Sequence, residues 1–223
     1  MLAQFVLFDG FDPLDVVAPY EVLHCAGELT AGAVRTELVS AEGPREVPSG
    51  LADVSLRATA ALDPERADLV VLPGAVGDLR DPAELTEAER ARTIPAILRR
   101  ALDTALPRLV GAALARPETL VATVCGGSLI VAMAGLAQGR PVTTHPLGRK
   151  LLDGTGAQHV DARVVDDGDL LTSGGVTSGL DLALHLVERE IGPRVAYAVE
   201  RVLVYERRGV VWSATGAVPA LAL

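Results

Sequence analysis

The stretch that decides the fold is TLVATVCGGSLIVAMAGLAQG, Thr119 to Gly139. A run rich in Thr, Val and Leu leads into Cys125; Gly126, Gly127 and Ser128 follow at once, and an almost unbroken apolar segment comes next. The β-branched residues favour a strand ending at Val124, and Ser128 opens a helix over Ser128 to Ala137. A cysteine where a strand turns into a helix stands at a chain reversal, the place of an elbow nucleophile. Glycine after it lets the backbone turn sharply and lets a ligand approach, while free N–H groups at the helix start favour an anion. These features predict a Cys125 thiol that titrates below the free value of about 8.5. A lone cysteine in apolar surroundings is ordinarily core, and Cys25, inside EVLHCAGEL on an amphipathic helix, reads that way.

Working outward, short β-rich runs alternate with longer helical ones. Candidate strands are Ala3 to Phe8, Arg35 to Ser40, Asp68 to Leu72, Thr119 to Val124 and Pro141 to Thr144. Helical spacing covers Leu14 to Glu28, Ser178 to Ile191 behind a Thr177/Ser178 cap, and Arg194 to Arg207 behind Pro193. The class is therefore α/β: a mostly parallel sheet with helices on both faces. In VDARVVDDGDLLTSGG, Asp167-Gly168 reads as a hairpin turn that adds antiparallel strands, and Pro44 to Ala58 has the composition of another short pair. Asp81 to Arg116 is long and rich in Ala, Arg and Leu, and its prolines divide it into two or three short helices. No repeat or linker splits the chain, so residues 1–223 read as one domain. In such sheets ligands bind beyond the carboxyl ends of the strands, which here are followed by DGFDPLD, PGAVGD and CGGS; all three belong on one rim.

Composition limits the partners. The 223 residues are 49% hydrophobic and only 3% aromatic, enough to bury a substantial core. A formal net charge of −9 without a basic cluster argues against nucleic acid and anionic membranes. Two cysteines are too few for a disulfide framework, no apolar run approaches a bilayer span, and the N-terminus lacks a leader pattern; free thiols in a cytoplasmic setting are expected. GAVGDL lacks the spacing of a dinucleotide fingerprint and no Cys/His spacing suggests zinc, so no cofactor and no metal are expected. His24, His159 and His185 have no supporting spacing.

The segments FDPLDVVAPYEVL, LVVLPGAVG, VCGGSLIVAMAGLAQGRPVTTHP and LLTSGGVTSGLDLALHLVERE, in this order, resemble the DJ-1/PfpI superfamily, also called ThiJ/PfpI or class I glutamine amidotransferase-like, and within it the branch containing isonitrile hydratases. The resemblance implies a flavodoxin-like three-layer sandwich with a strained nucleophile elbow, usually assembled as a homodimer. It implies that Cys125 is the elbow cysteine, that Asp15 is the acid hydrogen-bonded to it, and that the amides of Gly126 and Ala75 face the sulfur. His145 matches a histidine near the pocket; with Gly74 and Thr177 it is expected to line the cavity. Two residues depart from the pattern. Gly126 stands where protease-like relatives carry histidine and isonitrile hydratases threonine, and Ala75 stands where PGG is usual, adding a methyl at a position expected to favour positive φ.

A carboxyl desolvated beside a thiolate tends to keep its proton, so Asp15 and Cys125 are expected to titrate as a pair. The resemblance then implies a small-molecule lyase: Asp15 protonates the terminal carbon of an isonitrile, Cys125 attacks to give a thioimidate, and water releases an N-substituted formamide. The rivals are a thiol oxidation sensor of the DJ-1 type and a ligand-binding module like the sensor halves of AraC-type regulators. With Leu223 soon after the last helical stretch, no DNA-binding half is expected.

Overall fold

The computed structural model describes residues 1–217; residues 218–223, whose role the sequence leaves open, lie outside the described residues. The strands are β1 (Leu2–Leu7), β2 (Arg35–Ser40), β3 (Arg45–Pro48), β4 (Ser55–Ala58), β5 (Ala60–Ala61), β6 (Leu69–Leu72), β7 (Leu120–Val124), β8 (Pro141–Val142), β9 (Gln158–His159), β10 (Val164–Asp167), β11 (Leu170–Ser173) and β12 (Trp212–Ser213). The helices are α1 (Pro13–Leu29), α2 (Glu87–Arg90), α3 (Ile94–Leu102), α4 (Leu106–Leu114), α5 (Gly127–Met133), α6 (Ser178–Glu190) and α7 (Pro193–Leu203).

Among the described residues eight strands form one sheet in the order β12-β10-β11-β7-β6-β1-β2-β5. Within it only β10 and β11 pair antiparallel, across the expected turn at Gly168, whose φ of +84° suits glycine. β1 and β6 are buried along their whole length, as parallel strands covered on both faces must be. Helices α1, α6 and α7 pack on one another, and α3, α4 and α5 form a second packed group, which gives the α/β three-layer arrangement.

The structure corrects several sequence boundaries. Pro141 to Thr144 yields only the two-residue β8, which pairs with β9 outside the main sheet. The Pro44 to Ala58 segment, by contrast, forms the expected short pair, β3 and β4, antiparallel and separate from the main sheet. Helix α5 stops at Met133, short of Ala137. Helix α7 ends at Leu203, where Val204 turns left-handed at φ +50°. Asp81 to Arg116 does form short helices, α2, α3 and α4, and Pro95 and Pro107 each sit in the first turn of α3 and α4, where a missing N–H costs nothing.

Candidate active site

β7, β6 and β1 are parallel neighbours, so their carboxyl ends share one edge and the three loops beyond them meet there. The Asp12 amide donates to Gly74 O at 3.0 Å and the Val76 amide to Gly10 O at 3.2 Å, joining the first two loops. These bonds flank the bridge between Phe11 and Ala75, so the Ala75 amide itself points away from Phe11.

Cys125 has φ +57°, a left-handed conformation that costs a non-glycine residue about 1–2 kcal/mol. Its neighbours hold it there. The Cys125 amide donates to Ser173 O at 2.9 Å, and its carbonyl accepts the hydroxyls of Thr144 at 3.0 Å and Ser128 at 3.1 Å. The strain sits on the cysteine and not on its successor, since Gly126 is in the ordinary right-handed region at φ −72°. A Cβ on Gly74 would stand 2.5 Å from Gly126 N and 2.9 Å from Asp15 Oδ2, so glycine is needed there for close approach. Ala75 does not have positive φ, and the sequence expectation of strain at its methyl is not met.

Asp15, in the first turn of α1, is fully buried. Its Oδ2 accepts the Gly74 amide at 2.9 Å, while Oδ1 has no partner at ordinary hydrogen-bond geometry among the described residues. Burial, with the Asp12 charge adding to it, pushes this carboxyl up to about 8; the Gly74 amide and the neighbouring Cys125 thiol moderate the rise. Cys125 is coupled to it. Burial raises the thiol first, Asp15 adds to the rise, and the Gly126 amide facing the sulfur opposes it only in part. The expected low-titrating thiolate is therefore corrected: desolvation and a carboxyl neighbour outweigh the start of the short helix α5.

Cys125 opens onto a cavity of about 410 Å³ whose walls include Ala75, Val76, Ile94, Leu129, Leu151 and Val176. Of the residues expected at the site, Cys125, Gly126, Ala75 and His145 line this cavity. Asp15 and Gly74 lie behind Cys125 and do not. Thr177 is also outside the lining, since its hydroxyl accepts Arg163 Nη2 at 3.1 Å, and its neighbour Val176 takes the wall position. A second cavity of about 390 Å³, between the β3–β4 loop and Arg92 and Arg100, does not reach Cys125.

Three polar wall residues carry no functional signal along the chain. Asp12 caps α1 by accepting the Leu14 amide at 3.0 Å, and the Asp-Pro pair that signals such a cap is visible in DGFDPLD. Asp78 and Arg80 form an ion pair at the mouth, where Arg80 also reaches Glu89 at 2.9 Å; the guanidinium holds Asp78 down to about 2. The Asp81 to Arg116 segment contributes Thr93, Ile94 and Pro95, so it walls the cavity on one side. His145 accepts the Leu147 amide on Nδ1 at 3.2 Å, capping the 3-10 turn Pro146–Leu152. Among the described residues no group of three His, Cys, Asp or Glu is placed to hold a metal ion, and no helix is long and apolar enough to cross a membrane.

The chain is similar to isonitrile hydratase of Pseudomonas putida, with 33% identity over 204 residues covering 90% of this chain and 77% of that protein. It is also similar to Parkinson disease protein 7 homolog of Danio rerio, with 30% identity over 205 residues, 91% of this chain and 96% of the relative. The crystal structure of DJ-1beta from Drosophila melanogaster superposes with a TM-score of 0.72 at 23% identity, over 92% of this chain and 98% of that one. The family model described as DJ-1/PfpI matches residues 99–189, the segment that carries the elbow, its helix and the β10–β11 hairpin. With a cysteine on a left-handed elbow and two relatives alike over about nine-tenths of this chain, the chain belongs to the DJ-1/PfpI family.

Proposed function

We propose that the protein is a cysteine-dependent enzyme that hydrates a small electrophile, and that the electrophile is an isonitrile, converted to an N-substituted formamide. The observation that carries this reading is the Asp15 carboxyl: buried beside Cys125, protonated to about pH 8, with Oδ1 free of any other partner among the described residues. Such an acid can deliver a proton that solvent does not quench. In the addition step the Cys125 sulfur bonds the terminal isonitrile carbon while Asp15 gives that carbon its proton. The thiol proton passes to the carboxylate left behind, so S–H is added across carbon and the buried pair never gains net charge. The Gly126 amide facing the sulfur would stabilise charge that develops in passing, and the Ala75 amide, which points away from Phe11, is assigned the same role in this reading. The mostly apolar walls suit an uncharged substituent, because Arg80 at the mouth is already neutralised by Asp78 and Glu89.

A raised, 7% exposed thiol favours turnover over oxidation sensing, since peroxide reacts with accessible thiolates. The homodimer and the cytoplasmic setting expected from sequence belong to the same reading. The test is formation of N-benzylformamide from benzyl isonitrile by the wild type, with loss of all turnover in Cys125→Ala. Formamide production by a folded Cys125→Ala protein would sink the nucleophile assignment.

A further inference from the structure

The addition step leaves a thioimidate on Cys125, and something must activate water to remove it. Asp15 is unsuited to that role, because it lies behind the cysteine, does not line the cavity, and keeps its proton up to about pH 8. Of the carboxylates in the cavity wall, Asp78 is tied to Arg80 through two oxygens and is held near 2, which makes it a weak base. Asp12 remains. It stands in the same wall as Cys125, and its oxygen is oriented by the Leu14 amide at 3.0 Å. Burial raises it, moving its basicity toward neutrality.

His145 shares the wall and lies near enough to lower the Asp12 carboxyl against the larger effect of burial, although no direct ion pair joins them among the described residues. Because Nδ1 accepts the Leu147 amide, the proton of the neutral ring resides on Nε2, which makes that nitrogen a donor. A carboxylate acceptor and an imidazole donor on one wall can hold a water by its proton and by one lone pair, leaving the other lone pair to attack.

We propose that Asp12 is the general base of the second half-reaction, with His145 positioning the water it activates; the assignment rests on the hydration reading above. Asp12 takes a proton from water as the C–O bond forms, and the C=N electron pair moves onto nitrogen, which receives that proton from Asp12. The tetrahedral adduct then collapses: the C–S bond breaks, the hydroxyl becomes the formamide carbonyl, and Asp12 relays the hydroxyl proton to the departing sulfur. Free thiol, neutral Asp15 and ionised Asp12 are restored, with one water consumed.

Asp12→Asn is the test, because asparagine keeps the helix cap while removing the base; Asp12→Ser is a second cap-preserving variant. After mixing with benzyl isonitrile, intact-mass analysis should show the adduct on Cys125 accumulating in both variants, with decay slowed about a hundredfold to ten-thousandfold. A purely electrostatic role would speed adduct formation, since Asp12 raises both Asp15 and Cys125, and would leave decay unchanged. Decay at the wild-type rate in folded variants therefore overturns the assignment while leaving the hydration reading intact. A wild type that gives neither adduct nor formamide overturns the hydration reading and this assignment with it.

Discussion

Asp15→Asn should change how stability depends on pH, and the structure sets sign and size. The folded carboxyl titrates near 8 against an ordinary value of 3.8. Between those values the native state holds a proton that the unfolded chain has released, so wild-type stability falls as pH rises through this window and levels off above it. Each unit of separation is worth about 1.4 kcal/mol, which over roughly four units comes to on the order of 5 kcal/mol. That figure is an upper bound, because Asp12 and Cys125 titrate in company with Asp15 and share the cost. Asparagine is neutral at every pH and nearly the same shape, and its carbonyl can still accept the Gly74 amide now held at 2.9 Å. Urea unfolding at steps from pH 4 to 9 should give two curves that converge near pH 4. They should separate in favour of the variant up to about pH 8 and run parallel beyond. Curves parallel throughout, or a wild type that gains on the variant as pH rises, would refute the protonated buried acid.

Two further outcomes follow from the same contacts. Alkylation of Cys125 by iodoacetamide should shift to lower pH in Asp15→Asn, because Asp15 raises the thiol, while Cys25 on α1 labels unchanged; peptide mass against pH reads both, and an unmoved Cys125 profile would mean that the pair is not coupled. Gly126→Thr should fold normally, since its backbone is right-handed and a Cβ there meets Gly74 Cα at 3.6 Å and Leu98 Cδ1 at 3.8 Å, ordinary contacts. A hydroxyl at that point of the cavity wall, contributing about 0.5–1.5 kcal/mol, should raise formamide formation about twofold to tenfold; a stable variant with no gain would remove any role for a hydroxyl beside the sulfur.

The fold was legible because its signals are local. Alternating β-rich and helical runs, the glycines after Cys125 and the Asp167-Gly168 turn each specify their own few residues, and the parallel order of β7, β6 and β1 follows from packing buried strands under helices. Strand-like Pro141 to Thr144 failed as a core strand because pairing is a tertiary fact: the place beside β7 is taken by β11, and β8 finds only β9. The cavity wall was partly hidden for the same reason. Thr177 sits at a glycine-bearing turn that looks open, yet Arg163 claims its hydroxyl, whereas Asp12 reads as a helix cap and also faces the cavity.

The protonation state of the elbow is the part that local pattern misjudges, and the reason is physical. A strand, a cysteine and a helix start look like a thiolate trap when read along the chain, because the only field in view is that of the helix. In the folded protein the sulfur is surrounded by groups from chain reversals far apart in sequence. Asp12 and Asp15 come from the end of the loop after β1 and the first turn of α1, Gly74 and Ala75 from the turn after β6. Burial removes the water that would stabilise a thiolate, and the Gly126 amide restores only part of it. A neutral pair that exchanges protons with its substrate fits these surroundings better than a standing thiolate. The pair stays neutral because burial outweighs the Gly74 amide, which reaches Asp15 only because no side chain at position 74 stands in the way. Reactivity at Cys125 therefore depends on three loops meeting at one sheet edge, and no single one of them carries it.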